Sequence, residues 1–435
     1  MGTEAVGLKG TACFETPSSR TAPQHEDSLR FSNGKSVATD LRSAHLLHAE
    51  EARSAVSKHA VGFGHAHLSL TRRQALATLG AAALVGLTRP ARADVPTSVL
   101  GSAVGPDGAF HAAALDGELS ERAGVGLAVR VHALTPRPDG REAVAVGRRP
   151  QNVAFVLDGA GETLRASFDA TEGRRFSGHG AYSRDGASFL TAEIEFQTGE
   201  GIVVLRDVAG GYAPRSEFAS GGVGPHELIG AGGLVAVANG AKEPKSEPGV
   251  AALGRTTARS NVALLHAGTG ALDSVAALED GMETLSLRHL VATPGGGVIV
   301  GAQDTAKGAR DLPLVARVEG SRLRFLEIDY GLAARMGGYV GQLSLDASGR
   351  YLAASGPVGG VVAVFDLETD ECLGLVPAPD CCAVAADGTV GGFVAATGLG
   401  EVLRVVSHDG GVAITARRAS RLRWDNHLAS RANFG

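Results

Sequence analysis

Cysteine is scarce in this chain: four among 435 residues. None shows C-x-x-C or C-x-x-C-H spacing, so zinc-ribbon and c-type haem readings lack support. The formal net charge is only −5. It leaves no broad basic footprint, and nucleic-acid binding is not expected. Outside one short segment near residue 80 there is no run of about 18 apolar residues, so no membrane span is expected in the mature chain. A G-x-S-x-G motif is missing too, and no Ser-His-Asp or Cys-His arrangement is recognisable from spacing.

Glycine, by contrast, is abundant at 61 residues, and it punctuates a repeat. The clearest copy is His179–Glu193, HGAYSRDGASFLTAE. Alternating residues give a strand, Asp185-Gly186 gives a tight turn, and SFLTAE resumes as a second strand. Related units start at His132, His226, His289, Gln342 and Cys382, at steps of 47, 47, 63, 53 and 40 residues. Self-similarity at this period marks a propeller or solenoid. The 63-residue step has room for a Gly-, Pro- and charge-rich loop between Asn239 and Asn261.

Outer strand pairs follow the inner ones. Examples are NVAFVLDGAGETLRASF after Arg149, IVVLRDVAGGYAPRSEF after Gly201 and VVAVFDLETDECLGLV around Cys372. Each is an apolar strand, a polar turn containing Gly or acidic residues, and a second strand. Six units plus the strands from Ser98 to Ala123 make seven blades. The terminal Arg423–Leu428, RWDNHL, is expected to join the first blade and close the ring, which removes exposed sheet edges. The expected fold class is therefore all-β: one seven-bladed β-propeller of the YVTN/WD40-like kind over residues 94–435, closed by its N- and C-terminal strands.

Residues 1–70 lack the pattern and are expected to be a disordered leader. Thr71-Arg72-Arg73-Gln74-Ala75-Leu76 resembles a twin-arginine export motif, with Ala75 where Phe is commoner. An apolar run, Ala75–Leu87, and an A-x-A site, Ala91-Arg92-Ala93, complete a signal peptide over 71–93. Because such signals stand at the N-terminus, translation is expected to start close to Thr71. The mature protein would then begin at Asp94, in the periplasm. Removal of Cys13 leaves Cys372, Cys381 and Cys382, an odd number. A Cys372–Cys381 disulfide is compatible with an oxidising compartment. Adjacent Cys381 and Cys382 are expected on opposite faces of a strand.

GRRPQNVAFVLD, GRRFSGHGAYSRDG, GPHEL, VANG, LSLRHL, YVGQLSLDASGRYLAASGPVGGVVAVFD and RWDNHL together resemble an exported bacterial family known as domain of unknown function 1513. The resemblance covers roughly Ser98 to Leu428. It implies a seven-bladed propeller with a twin-arginine signal, encoded beside imelysin-like iron-uptake proteins and di-haem oxidoreductases. These are the partners it suggests, with iron or copper as the metal. The family has no established catalytic residues to carry over.

Three constellations are candidates for chemistry. His132, His179, His226 and His289 each start an inner strand, and His427 sits in the closing strand. One residue per blade at an equivalent position converges toward the axis, and imidazole suits iron, copper, zinc and nickel. Glu193, Glu227 and Cys382 are possible further donors. The bland alternative is that these polar groups hold the blades through hydrogen bonds. Arg148, Arg149, Arg174, Arg175 and Arg288 form a cationic set suited to an anion or to inter-blade ion pairs. Glu193, Asn239 and Gln303 end second strands and mimic the cation site of lactonase-like propellers. The resulting expectation is a monomeric binding or accessory protein of iron or copper uptake. The rivals are a metal-dependent lactonase-like hydrolase and a structural interaction platform.

Overall fold

The computed structural model describes residues 97–241, 258–306, 312–326, 328, 330–408 and 410–430. The leader and signal segment, and most of the loop expected between Asn239 and Asn261, lie outside the described residues. Seven four-stranded antiparallel sheets succeed one another. From the axis outward, blade 1 is Arg423–Ser430, Thr97–Val104, Phe110–Asp116 and Glu121–Leu127. Blade 2 is Val131–Pro136, Glu142–Gly147, Val153–Asp158 and Leu164–Asp169. Blade 3 is Arg174–Tyr182, Ser188–Glu195, Glu200–Asp207 and Ala213–Val223. Blade 4 is Pro225–Ala231, Leu234–Asn239, Asn261–His266 and Leu272–Ala277. Blade 5 is Leu285–Ala292, Val298–Asp304, Val315–Glu319 and Arg322–Phe325. Blade 6 is Gln342–Leu345, Tyr351–Gly356, Val361–Asp366 and Glu371–Pro377. Blade 7 is Cys381–Ala386, Gly392–Thr397, Glu401–His408 and Gly411–Ala419. Each innermost strand touches the next, and that of blade 7 touches that of blade 1, so the ring closes.

The turns explain why these segments become hairpins. In blade 3 the Asp185 carboxylate accepts from the Ala187 N–H (3.0 Å), and Gly186 takes φ 67°. The same aspartate turn recurs between the first two strands of other blades, at Asp139, Asp346 and Asp387. An aspartate that caps its own turn makes the reversal local, so each blade forms from adjacent sequence.

Apolar faces of neighbouring blades make the core. Val144, Val146 and Val156 of blade 2 pack on Phe176, Tyr182 and Phe189 of blade 3. Closure rests on Trp424, 2% exposed, whose indole N–H donates to Ser420 Oγ (3.0 Å). Asp425, one residue on, makes a two-pronged ion pair with Arg130 of the neighbouring blade (2.5 and 2.6 Å).

Two features depart from the expectations. A six-residue helix, Tyr330–Arg335, links blades 5 and 6. Cys372 and Cys381 are not joined, because Cys372 lies on the outermost strand of blade 6 and Cys381 on the innermost strand of blade 7. Cys381 packs into the core between those blades. Cys382 instead directs its sulfur at Gly341, where a Cβ would sit 3.0 Å away.

Candidate metal site

A regular strand sends successive side chains to opposite faces. Six of the seven innermost strands break this rule once, at the strand start in some blades and mid-strand in others, where His179 and His289 stand instead of starting their strands as expected. His132 is inserted between the pairs Val131–Gly147 and Ala133–Val146. Ser177, Gly178 and His179 are inserted between Phe176–Glu193 and Gly180–Thr191. His226 is inserted between Pro225–Asn239 and Glu227–Ala238. Similar shifts fall at Arg288, immediately before His289, at Cys382, and around Asp425–His427. A bulge re-aims a side chain that the ladder would otherwise fix. Here bulges on five blades bring five imidazoles together among the inner strands.

His179 is the hub. Its ring centroid is 4.7 Å from His132, 5.4 Å from His226, 5.7 Å from His289 and 4.7 Å from His427. His226 and His289 lie 4.8 Å apart, and His289 and His427 lie 4.9 Å apart. All five side chains are buried. Two sets of three have ligand nitrogens within 4.8 Å of one another: His132, His179 and His226, and then His179, His289 and His427. An ion at the usual bond length of about 2.0–2.1 Å to each nitrogen requires either set to draw in until its nitrogens stand about 3.3 Å apart.

The ring nitrogens are not equivalent. Glu227 places one carboxylate oxygen 3.1 Å from His289 Nδ1 and the other 3.5 Å from His179 Nδ1. The Leu290 N–H also donates to Glu227, at 3.1 Å. His132 Nδ1 faces the Asn426 side-chain amide at 2.7 Å. On the other side of the rings, Nε2 of His132, His179, His226 and His427 is buried without a hydrogen-bond partner. Buried polar atoms in this state are rare and call for an explanation.

Burial lowers the pKa of His132, His179, His226 and His427 well below the ordinary histidine value. Neighbouring imidazoles push the same way, as do Arg148 on His132 and His427, Arg149 on His179 and His226, and Arg288 on His226. Glu227 opposes the trend for His179. Burial in turn raises the Glu227 pKa, with His179 working against it. Neutral imidazole is the form that ligates a metal, so this environment holds the cluster ready as donors.

The structure therefore brings together His132, His179, His226, His289 and His427, with Arg148, Arg149 and Arg288 close enough to tune them. Glu193 and Asn239 are committed to partners inside the sheets instead. Glu193 pairs with buried Arg206 at 2.5 Å and also accepts from Thr191 Oγ1 and the Thr171 N–H. Asn239 bonds Ser220 and Asn261 at 2.8–3.0 Å. Arg174 pairs with Glu217 and Arg175 lies over Phe196. Gln303 bridges to Tyr339 through the backbone.

Three contributors were not visible as such in the sequence: Glu227 as a support for histidines, Asn426, and Gln342. Gln342 occupies the blade 6 position and reaches across to the Leu428 C=O (2.6 Å), the Leu428 N–H (3.0 Å) and the Val384 N–H (2.9 Å). A glutamine standing where other blades carry histidine is the signal that could have found it.

The sequence profile of one family, described as "Protein of unknown function (DUF1513)", matches residues 125–431. A domain of seven sheets with an imidazole cluster at its axis is thus the form this family takes here. The chain belongs to that family. No curated protein matches it. Among solved structures, it is similar to one described as "Crystal Structure of Mitotic Checkpoint Complex", at 10% identity and TM-score 0.50 over 78% of this chain and 89% of the other. Another, "Crystal structure of RRP9 WD40 repeats", aligns at 10% identity and TM-score 0.49 over 68% and 82%. At such identities the likeness of the first speaks for the fold alone.

Proposed function

We propose that this protein is an exported, transition-metal-binding accessory protein of iron or copper uptake, acting in the periplasm. The observation that carries the reading is the cluster of five buried imidazoles in which Nε2 of His132, His179, His226 and His427 has no hydrogen-bond partner, with a carboxylate beside Nδ1 of His179 and His289. A scaffold role alone does not account for it, since a scaffold histidine is expected to spend both ring nitrogens on hydrogen bonds. The twin-arginine segment at 71–93 supports export, and that pathway moves folded proteins. Imelysin-like or di-haem periplasmic proteins are the partners this role suggests.

The hydrolase reading has less behind it. Its proposed cation ligands Glu193 and Asn239 already have partners in Arg206 and in Ser220 and Asn261. Metal analysis of the protein purified from periplasm, followed by dialysis against iron, copper and zinc, tests the proposal. Bound metal lost in variants of the histidines supports it. Protein that neither carries nor takes up metal refutes it.

A further inference from the structure

Glu227 places its carboxylate against two of the five imidazoles, His289 and His179, and its placement decides what kind of ion fits. Both of its oxygens face Nδ1 atoms, 3.1 Å from His289 and 3.5 Å from His179. A third contact, from the Leu290 N–H, holds the carboxylate in place. A carboxylate accepts hydrogen bonds, so the 3.1 Å contact puts a proton on Nδ1 of His289 and a lone pair on its Nε2, and the negative charge 3.5 Å from His179 Nδ1 favours the same tautomer there. The oxygens are then spent on the backs of the rings. What remains to face an ion is nitrogen.

We infer, on the reading that the cluster binds metal, that Glu227 is a positioning residue and not a ligand. The site then selects a borderline divalent ion, copper(II) or zinc(II), over ferric iron. Ferric iron is a hard cation that needs anionic oxygen in its coordination sphere. Imidazole donors suit copper and zinc, with copper(II) the tightest of the divalent series. The set His179, His289 and His427 contains both histidines that Glu227 orients, and its nitrogens already lie within 4.8 Å of one another. His132 is differently disposed. Its Nδ1 meets the Asn426 side-chain amide at 2.7 Å instead of a carboxylate, so Glu227 does not set its tautomer. Glu227 is also the most exposed member, 18% accessible against 1–5% for the two rings it supports, so it lies toward solvent.

The test is equilibrium dialysis of the full-length protein and of Glu227→Gln against copper(II), zinc(II) and ferric citrate separately, with electron paramagnetic resonance of the copper forms. The expected result is retention of copper and zinc, but not ferric iron, by the wild type. Glu227→Gln should bind copper about 10–100-fold more weakly, the usual effect of removing an outer-shell partner. Its copper spectrum should show the same number of nitrogen ligands. Ferric iron retained in preference to copper overturns the inference. So does an unchanged affinity in Glu227→Gln, or a copper spectrum in which the variant has lost an oxygen ligand. Each of these outcomes leaves metal binding itself intact. Failure of the wild type to retain any of the three ions overturns both.

Discussion

Gly178 lies against the imidazole of His132 so closely that a Cβ at position 178 would sit 2.5 Å from His132 Cδ2. Gly178 also takes φ 114°, a conformation open to glycine and strained for other residues. Backbone and ring therefore share a space in which only hydrogen fits. Gly178→Ala should cost at least about 1–3 kcal/mol through backbone strain, and it should push His132 out of the cluster. Urea unfolding would read the first effect. Metal affinity measured on the surviving folded protein would read the second. A fully stable variant would show that the bulge at Ser177–His179 is not held as described.

The ion pair of Glu193 and Arg206 is almost completely enclosed, with side chains 0% and 2% exposed. Arg206 also lies over the rings of Phe168 and Phe176. Breaking such a pair leaves one charge stranded, so Arg206→Met should destabilise the protein by about 3–5 kcal/mol. The double change Glu193→Gln with Arg206→Met should recover much of this. Urea midpoints of the single and double variants provide the check. A double variant as unstable as the single would mean the loss comes from packing on the phenylalanines.

The blades and the histidines were legible in the sequence for the same reason. Turns such as Asp185-Gly186 are local chemistry, and a histidine recurring once per blade on the inner strands of blades 1 to 5 is a periodic signal. Glu227 was harder to place. It follows His226 directly, and strict alternation sends two such neighbours to opposite faces. The shift in register between Pro225 and Glu227 defeats that rule, and nothing in GPHEL announces it. Glu193 and Asn239 stand at matching places in their blades and so looked alike. Their partners Arg206 and Asn261 lie on the next strand outward: Asn261 stands directly opposite Asn239, while Arg206 stands opposite Phe189 and reaches along the sheet to Glu193. The helix Tyr330–Arg335 is too short to carry an amphipathic period.

Stability should fall as the medium turns acidic. His132, His179, His226 and His427 stay neutral in the folded protein at pH values where an unfolded chain protonates them. Their folded pKa values are depressed, so the stability they allow is fully present above the unfolded value near 6.5 and declines below it. Each such imidazole contributes a slope of about 1.4 kcal/mol per pH unit in that window. Glu227 acts in the opposite sense. Its folded pKa is raised, so its penalty shrinks as pH drops, but it is one group against four. Urea midpoints of metal-free protein at about pH 7.5, 6.5 and 5.5 should fall between the last two. A flat profile would mean that the rings are solvated.

The histidine variants should differ among themselves, because His179 belongs to both three-nitrogen sets while His226 and His289 belong to one each. Replacing His226 with Ala removes one set and leaves His179, His289 and His427. Replacing His289 removes the other set and also a partner of Glu227. Replacing His179 breaks both. Affinity for copper(II) or zinc(II) should therefore fall most in His179→Ala, less in His289→Ala and least in His226→Ala. All three lose a buried ring, and each should cost a similar, moderate amount of stability of about 1–3 kcal/mol. Metal titration and thermal unfolding on the same three proteins separate the effects. A common loss of melting temperature with unchanged metal affinity would mean that the imidazoles hold the blades together and bind nothing.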